Sequence, residues 1–315
     1  MVHRLISGAG VFSAAVLVFL FSSCADRVDV YYTASLDGNL LGCDCRGYPE
    51  AGLDKRVWYL KENPIPEGAL LLDAGNVLET GRDPYLASLI LKTYDEMGYT
   101  AAAVGTNELA EGIEALVERS EPDESPLFIS HNLMVRETVD SPERPLTGKP
   151  LIHRAGDIRI AVTALADPGV FNPYMGLFKG QLSVADPLEI LKTQMKLSAE
   201  AGAEALILLA HGREEWIRGL MEELDIEDFG EIPIAAVILA GEDKLIEDRL
   251  PGGIPLVSPG EEGNRLGVLE LKLHKHRRPG WKNEFIGFHY LGLGDRTVAA
   301  RGAEYAEYLD AKRPK

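Results

Sequence analysis

Cysteine and basic charge are both in short supply in this chain of 315 residues. It has three Cys, and 32 Lys and Arg against 49 Asp and Glu. Three thiols exclude a framework of several disulfides. The formal net charge of −17 repels phosphate backbones over a Debye length, which removes nucleic acid from the expected partners. Histidine is also sparse, at seven residues, so a conventional two-metal site would have to be built mainly from carboxylates. There is no Gly-x-Ser-x-Gly nucleophile elbow and no Walker-type phosphate loop. A basic cluster, Lys275-His276-Arg277-Arg278, runs into Pro279-Gly280 and reads as a solvated hairpin tip rather than a binding patch. With 46% hydrophobic and 26% charged residues, the composition is globular. A real core is expected, with no stretch that reads as long disorder.

The first residues carry a separate signal. His3 and Arg4 precede an uncharged apolar or small stretch, residues 5–21, followed by Phe21-Ser22-Ser23-Cys24 and then polar Ala25-Asp26-Arg27. This is the layout of a secretory signal. A Cys placed just after small residues resembles the lipobox of bacterial lipoproteins, in which that Cys is diacylated and becomes the new N-terminus. Phe21 stands where Leu is preferred. A plain cleaved signal or an uncleaved anchor are the other readings, although the run is short of the roughly 20 residues a spanning helix needs. The expectation is a signal peptide over residues 1–23, lipid on Cys24, attachment to the membrane through that lipid, and an exported place in the cell envelope. Ala25, rather than Asp, resembles the outer-membrane sorting pattern of Gram-negative cells, with the protein facing the periplasm.

Cys43 and Cys45 are then the remaining thiols. A Cys-x-Cys disulfide closes a very small, strained ring. A disulfide, free thiols and a half-site for a soft metal all remain open.

Along the rest of the chain, apolar strands alternate with helical segments and then give way to antiparallel hairpins. Strands are expected over residues 27–33, 69–72, 100–104, 127–130, 206–210, 235–240 and 254–257. Hairpins are expected over 151–162 and 266–291. Pro84 after Asp83, and Pro187 after Asp186, mark helix starts. Further helices are expected over 53–63, 108–119, 214–224 and 304–310. This order indicates mixed sheets covered by helices in a single domain, residues 24–315.

Five strand ends fall into a recognisable series. Ser35-Leu36-Asp37-Gly38-Asn39 follows the first strand, and Asp73-Ala74-Gly75-Asn76 the second. Gly105-Thr106-Asn107-Glu108, Ala210-His211-Gly212 and Ala240-Gly241-Glu242-Asp243-Lys244 come later. The series resembles the calcineurin-like metallophosphoesterases, specifically the 5′-nucleotidase branch, from residue 28 to about residue 273. The resemblance implies an α/β fold, a four-layer αββα sandwich with two mixed β-sheets. It also implies a cleft at the strand ends where two divalent ions, bridged by a carboxylate, generate hydroxide and clamp a phosphate. The branch usually continues into a C-terminal substrate-binding domain, and no such domain is expected within this sequence.

Placed on this chain, the implied metal-ligand positions are Ser35, Asp37, Asn76, Thr106, His211, Glu242 and Lys244. The bridging carboxylate falls on neutral Asn76, and His211 alone keeps the family residue. The position that helps protonate the leaving group falls on Asn107, and its acidic partner on Ala110. A permanent ammonium at Lys244 opposes a dication in a cleft of low dielectric. The expectation is therefore a degenerate site with no cofactor, in which Lys244 pairs with Asp37 in place of one ion and His211 pairs with Glu242 at the other. Two functions compete. One is a catalytically silent, lipid-anchored protein used for binding or scaffolding with an envelope protein partner. The alternative is an active phosphoester hydrolase using divalent metal ions in a rearranged or single-metal site. A thiol or metal-carrier role for Cys43 and Cys45 ranks below both.

Overall fold

The computed structural model describes residues 26–42, 51–122, 124, 127–136, 138, 140–224, 232–260, 263–274, 277–288 and 291–312. The signal segment, Cys24, Cys43, Cys45, Lys275 and His276 lie outside the described residues.

In chain order the elements are β1 (Asp26–Thr33), α1 (Leu53–Glu62), β2 (Leu70–Asp73), α2 (Pro84–Met97), β3 (Ala101–Ala103), α3 (Ile113–Glu118) and β4 (Leu127–Ile129). Short strands β5 (Leu133–Val135) and β6 (Arg144–Pro145) lead to β7 (Leu151–Ala155), β8 (Ile158–Ala166), α4 (Pro168–Met175), β9 (Leu182–Val184) and α5 (Pro187–Glu200). The chain continues through β10 (Ala205–His211), α6 (Glu214–Glu223), β11 (Ile234–Ala240), β12 (Leu245–Arg249) and β13 (Pro255–Pro259). It closes with β14 (Arg265–His274), β15 (Arg277–Gly287) and α7 (Arg296–Lys312).

Two six-stranded sheets form the centre, in the orders β15-β14-β1-β2-β3-β4 and β12-β13-β11-β10-β8-β7. The inner strands of each are parallel, and antiparallel β14 and β15 edge the first while β12 and β7 edge the second. Parallel strands are covered on both faces, so they read as continuous apolar runs. Leu70–Asp73 and Ile234–Ala240 are buried along their whole length. Val28, Val30, Leu70 and Leu72 of the first sheet meet Val162, Ile207, Leu209 and Ile238 of the second in a core between the sheets. Leu53 and Val57 of α1, Ile90 and Tyr94 of α2, and Val298 of α7 cover the outer face of the first sheet. Leu191 and Met195 of α5, with Ile217 and Leu220 of α6, cover that of the second. This is the αββα sandwich expected from the sequence. Burying one such Leu or Ile contributes about 1.5–3 kcal/mol.

Helix starts follow the sequence signals. Asp83 accepts from the N–H groups of Tyr85 and Leu86, with Pro84 in the first turn of α2, and Asp186 accepts from Leu188 and Glu189 before α5. These bonds satisfy donors that a helix start leaves without partners. Three expectations need correction. The helix expected over 108–119 is broken at Gly112, whose φ of +91° separates a 3₁₀ turn, Asn107–Glu111, from α3. The last helix is longer than expected because Asp295 caps it, accepting from Thr297 and Val298, and because Arg301 of α7 donates to Thr93 of α2. The three-stranded sheet β6-β5-β9 was not anticipated at all.

Parallel order brings the carboxyl ends of β1, β2, β3, β8, β10 and β11 to one end of the sandwich. The loops leaving those ends carry the residues singled out from the sequence.

Candidate functional site

The loops after β1 and β2 run side by side, with Ser35 N–H donating to Gly75 O (2.9 Å) and Asp37 N–H to Asn76 O (2.9 Å). Ser35, Asp37 and Asn76 all have left-handed backbones, with φ of +48°, +51° and +58°. Non-glycine residues rarely adopt this conformation, and it clusters at functional sites. Three positions implied as metal ligands therefore hold a strained, defined geometry. Their side chains are a hydroxyl, a carboxylate and an amide.

The polar groups of this cluster bond largely to each other. Asn76 Oδ1 accepts from the N–H of Asn107 (3.1 Å) and from Thr106 Oγ1 (3.4 Å). Asn107 Nδ2 donates to Asp37 Oδ1 (2.8 Å) and to Leu78 O (2.9 Å). Ala110 lies on the 3₁₀ turn and brings only a methyl group. Beneath them, the buried Glu108 carboxylate accepts four backbone N–H groups, from Gly105 (2.6 Å), Val77 (2.8 Å), Leu78 (3.0 Å) and Asn76 (3.1 Å). Burial pushes this carboxyl up to about 7, and the N–H donors pull it the other way.

His211 ends β10 and is only 1% exposed. Burial pushes its imidazole down to about 4, so it is neutral near pH 7. The ring lies edge-on to Phe171 at 5.6 Å between centroids. A Cβ on Gly105 would fall 2.3 Å from Asn76 Oδ1 and 2.8 Å from His211 Cε1, and one on Gly75 would fall 2.8 Å from His211 Nδ1. The glycines are what allow the two sheets' loops to close on the imidazole.

The remaining positions turn elsewhere. Glu242 Oε1 accepts from the N–H of Glu214 (2.7 Å), at the start of α6. Lys244 Nζ lies 2.6 Å from Glu214 Oε2, with its side chain 61% exposed. The Asp37–Lys244 pair expected from the sequence is thus not formed, and neither is the His211–Glu242 pair. The physical reason is proximity and hydration. Glu214 opens the helix that follows β10, next to the β11 loop, and offers a carboxylate where the ammonium keeps much of its water. A buried pair would have lost that hydration.

Sequence reasoning also missed groups that shape the site from below. Asp167, at the end of β8, accepts from Gly169 N–H (2.7 Å) and from Arg213 Nε (2.9 Å); the Asp-Pro pair at 167–168 was the available signal. Asp73 Oδ1 accepts from Gly75 N–H (2.9 Å), and its Oδ2 from Thr33 Oγ1 (2.6 Å) and Tyr94 Oη (3.0 Å). Arg56 Nη1 donates to Tyr94 Oη (2.8 Å) and Tyr99 Oη (2.9 Å) and lies 3.9 Å from Asp73. An open groove of about 310 Å³ borders Asp37 and is lined also by Asn39, Glu79 and Tyr305. Tyr305 donates to Asp83 at 2.7 Å.

A two-metal centre requires carboxylate and imidazole donors converging on shared positions. Here the position for the bridge is an amide whose oxygen already accepts two bonds, and Glu242 and Lys244 bond to Glu214 at the start of α6. Among the described residues, no three His, Cys, Asp or Glu side chains gather in a group that could hold a metal ion. The residues present do not fit such a pair.

No protein-family model matches the sequence, and no curated protein matches it. Solved structures do match. A 5′-nucleotidase precursor from Thermus thermophilus aligns with a TM-score of 0.71 at 16% identity, over 91% of this chain and 59% of its own. The calcineurin-like phosphoesterase YfkN from Bacillus subtilis aligns at 0.68 and 16%, over 90% of this chain and 97% of its own. The fold is that of the calcineurin-like phosphoesterases. The sulfate thiohydrolase SoxB from Thermus thermophilus shares it at 0.71 and 18% identity, over 90% of this chain and 61% of that one. The chain thus spans about three fifths of the nucleotidase precursor and SoxB chains, and identities this low establish shared architecture alone.

Proposed function

We propose that this protein is exported, held at a membrane of the cell envelope by lipid on Cys24, and uses a catalytically silent phosphoesterase fold to bind an envelope protein partner. One observation carries the reading. The side chains at the strand ends bond to one another and to neighbouring backbone, through Asn76–Asn107–Asp37 on one side and Glu242–Glu214–Lys244 on the other. Hydrolysis of a phosphoester needs charge stabilisation aimed at the reacting phosphorus and an activated water. The groups that would supply both in the fold family are replaced by Ser35, Asn76, Asn107 and Lys244. What remains is a cluster of defined shape on a strongly acidic body, suited to recognition.

The test is the metal content of the purified full chain, measured together with hydrolysis of p-nitrophenyl phosphate in added manganese. The expected result is no stoichiometric metal after chelation and no turnover above background. Tightly bound stoichiometric metal with turnover would refute the reading and establish the rearranged hydrolase instead.

A further inference from the structure

We propose that the groove beside Asp37 seats an arginine side chain presented by the protein partner. The inference rests on the reading of the strand-end face as a recognition surface, and it names what that surface takes. The groove holds about 310 Å³, at the small end of the range for ligand pockets. It is open to solvent, so it suits one side chain projecting from a larger body. Leu36 and Leu86 are buried and give it an apolar floor, and Asp37, Asn39, Glu79 and Tyr305 give it a polar lining. Among the described residues that line it there is no Lys, Arg or His.

The loops after β1 and β2 bring the two carboxylates to one groove. Gly38 N–H donates to Val77 O (3.2 Å), and a Cβ on Gly38 would fall 2.8 Å from Glu79 Cβ. Glycine at this position, with φ of +77°, is what lets Glu79 pack against the β1 loop. Asp37 and Glu79 are both exposed. Asp37 Oδ1 accepts from Asn107 Nδ2 (2.8 Å), a neutral donor that orients the carboxylate and leaves its charge in place. α7 supplies an aromatic wall. Tyr305 Oη donates to Asp83 Oδ2 (2.7 Å), while Asp83 Oδ1 accepts from the N–H groups of Tyr85 and Leu86 at the start of α2. The ring is therefore held before any ligand arrives, which lowers the ordering cost of binding. Burial and the negative charges of Asp83 and Glu79 push the Tyr305 hydroxyl above its ordinary value, in keeping with a groove that favours cations.

The same strip of α7 already carries a cation of the chain itself. Lys312 Nζ lies 4.2 Å from the centroid of the Tyr308 ring. Tyr308 in turn packs against Tyr85 at 4.5 Å and Tyr305 at 6.3 Å between centroids, and Tyr85 Oη donates to Glu304. Phenol faces flanked by carboxylates attract ammonium and guanidinium groups. Tyr308 is engaged by Lys312, whereas Tyr305, one turn earlier, borders the groove. A guanidinium suits it better than an ammonium, because its plane can lie against a ring while its N–H fork reaches carboxylate oxygens. A second copy of this chain is a poor source of that arginine, since two bodies of net charge −17 repel each other. A basic partner is drawn to the same body by its overall charge, and the groove fixes its register.

The experiment titrates the purified full chain with the peptide acetyl-Gly-Arg-Gly-amide, and with the same peptide carrying citrulline, which has nearly the same shape and no charge. The methyl resonances of Leu36 and Leu86 report occupancy. The Arg peptide is expected to shift both and to saturate in roughly the millimolar range. The citrulline peptide is expected to bind at least about fivefold more weakly. Glu79→Gln and Tyr305→Leu should each weaken the Arg peptide by about two- to fivefold, while Tyr305→Phe keeps the ring and most of the affinity. Far-UV circular dichroism checks that each variant is folded, and Glu79→Gln, at an exposed position, decides the matter should Tyr305→Leu unfold. Equal affinity for both peptides, no saturable shift at Leu36 and Leu86, or unchanged binding in the folded variants overturns the groove as a site. Saturable Arg binding in a chain that also holds metal and turns over would keep the groove and overturn the silent-enzyme reading. A metal-free, inactive chain that ignores the peptide would do the reverse.

Discussion

Replacing Asp73 with Asn leaves a guanidinium without a counter-charge at the base of the strand-end cluster. Arg56 and Asp73 have no exposed side-chain surface, and their charged atoms lie 3.9 Å apart. Asn keeps the size of Asp and can still accept from Gly75 through one oxygen. The other position becomes an amide nitrogen, which cannot accept from Thr33 Oγ1 and Tyr94 Oη, the hydroxyls that donate to Asp73 Oδ2 in the wild type at 2.6 and 3.0 Å. Burial raises the Asp73 carboxyl, and the Arg56 charge is the strongest influence pulling it back. Removing one partner of a buried pair costs about 3–5 kcal/mol, because the other charge stays buried. With a urea m-value of about 3 kcal/mol/M for a chain of this size, Asp73→Asn lowers the urea midpoint by about 1–1.7 M. Far-UV circular dichroism along a urea titration at pH 7.5 reads this directly. Arg56→Met together with Asp73→Asn takes both charges out of the core and is expected to be more stable than Asp73→Asn alone, giving a coupling energy of about 1–3 kcal/mol. A single variant within about 0.5 kcal/mol of wild type, or a strictly additive cycle, would refute the reasoning.

Two further predictions follow from burial and exposure elsewhere. His131 accepts from Ala164 N–H at Nδ1 (3.1 Å) and reaches Lys149 O through Nε2 (3.0 Å), and burial pushes it down to about 4. The unfolded chain binds this proton more readily. The stabilisation is thus full above pH 6.5 and lost as pH falls from 6.5 towards 4, by up to about 3 kcal/mol. The stability difference between wild type and His131→Gln, measured by urea titration at pH 7.5 and pH 4.5, should shrink by most of that amount; a constant difference would show that His131 titrates normally. Lys244→Ala removes an exposed partner of Glu214 and should change stability by less than about 1 kcal/mol in the same assay, whereas a loss of several kcal/mol would restore the idea of a buried ammonium.

Local chemistry announced much of the architecture. Pro84 and Pro187 follow acidic caps, and residues 266–273 alternate in the manner of a strand with one buried face. The strand-end series located the cluster because each motif is an apolar run stopped by a turn, which forces its polar residues to one end of a parallel sheet. Strands of two or three residues, such as β5, β6 and β9, carry no periodicity to read. The partners of polar side chains were equally hidden. Nothing in the spacing distinguishes Asp37 from Glu214 as the acceptor for Lys244. The choice depends on where α6 begins relative to the β11 loop, which only tertiary packing fixes. Glu108 reads as an ordinary helical acid, and its role emerges once the loops after β2 and β3 are brought together.

That role explains how the strand-end loops keep their shape although the implied ligand set is replaced. Left-handed backbones at Ser35, Asp37 and Asn76 cost about 1–2 kcal/mol each, so something must offset roughly 3–6 kcal/mol. Metal coordination by these side chains is not needed for it. Glu108 gathers four N–H groups of the loops after β2 and β3, Asp73 holds Gly75, and backbone bonds from Ser35, Asp37 and Gly38 to Gly75, Asn76 and Val77 tie the β1 loop to the β2 loop. At about 0.5–1.5 kcal/mol for each net hydrogen bond, and more for those to a charged group, these contacts cover the strain. The conformation of the loops thus rests on these bonds, with Asn76 Oδ1 adding a further tie to the N–H of Asn107, and the side chain of Ser35 is not among them. Asp73, Glu108 and the glycines beside His211 are the positions where replacement would disturb the loops most, because they hold the backbone itself.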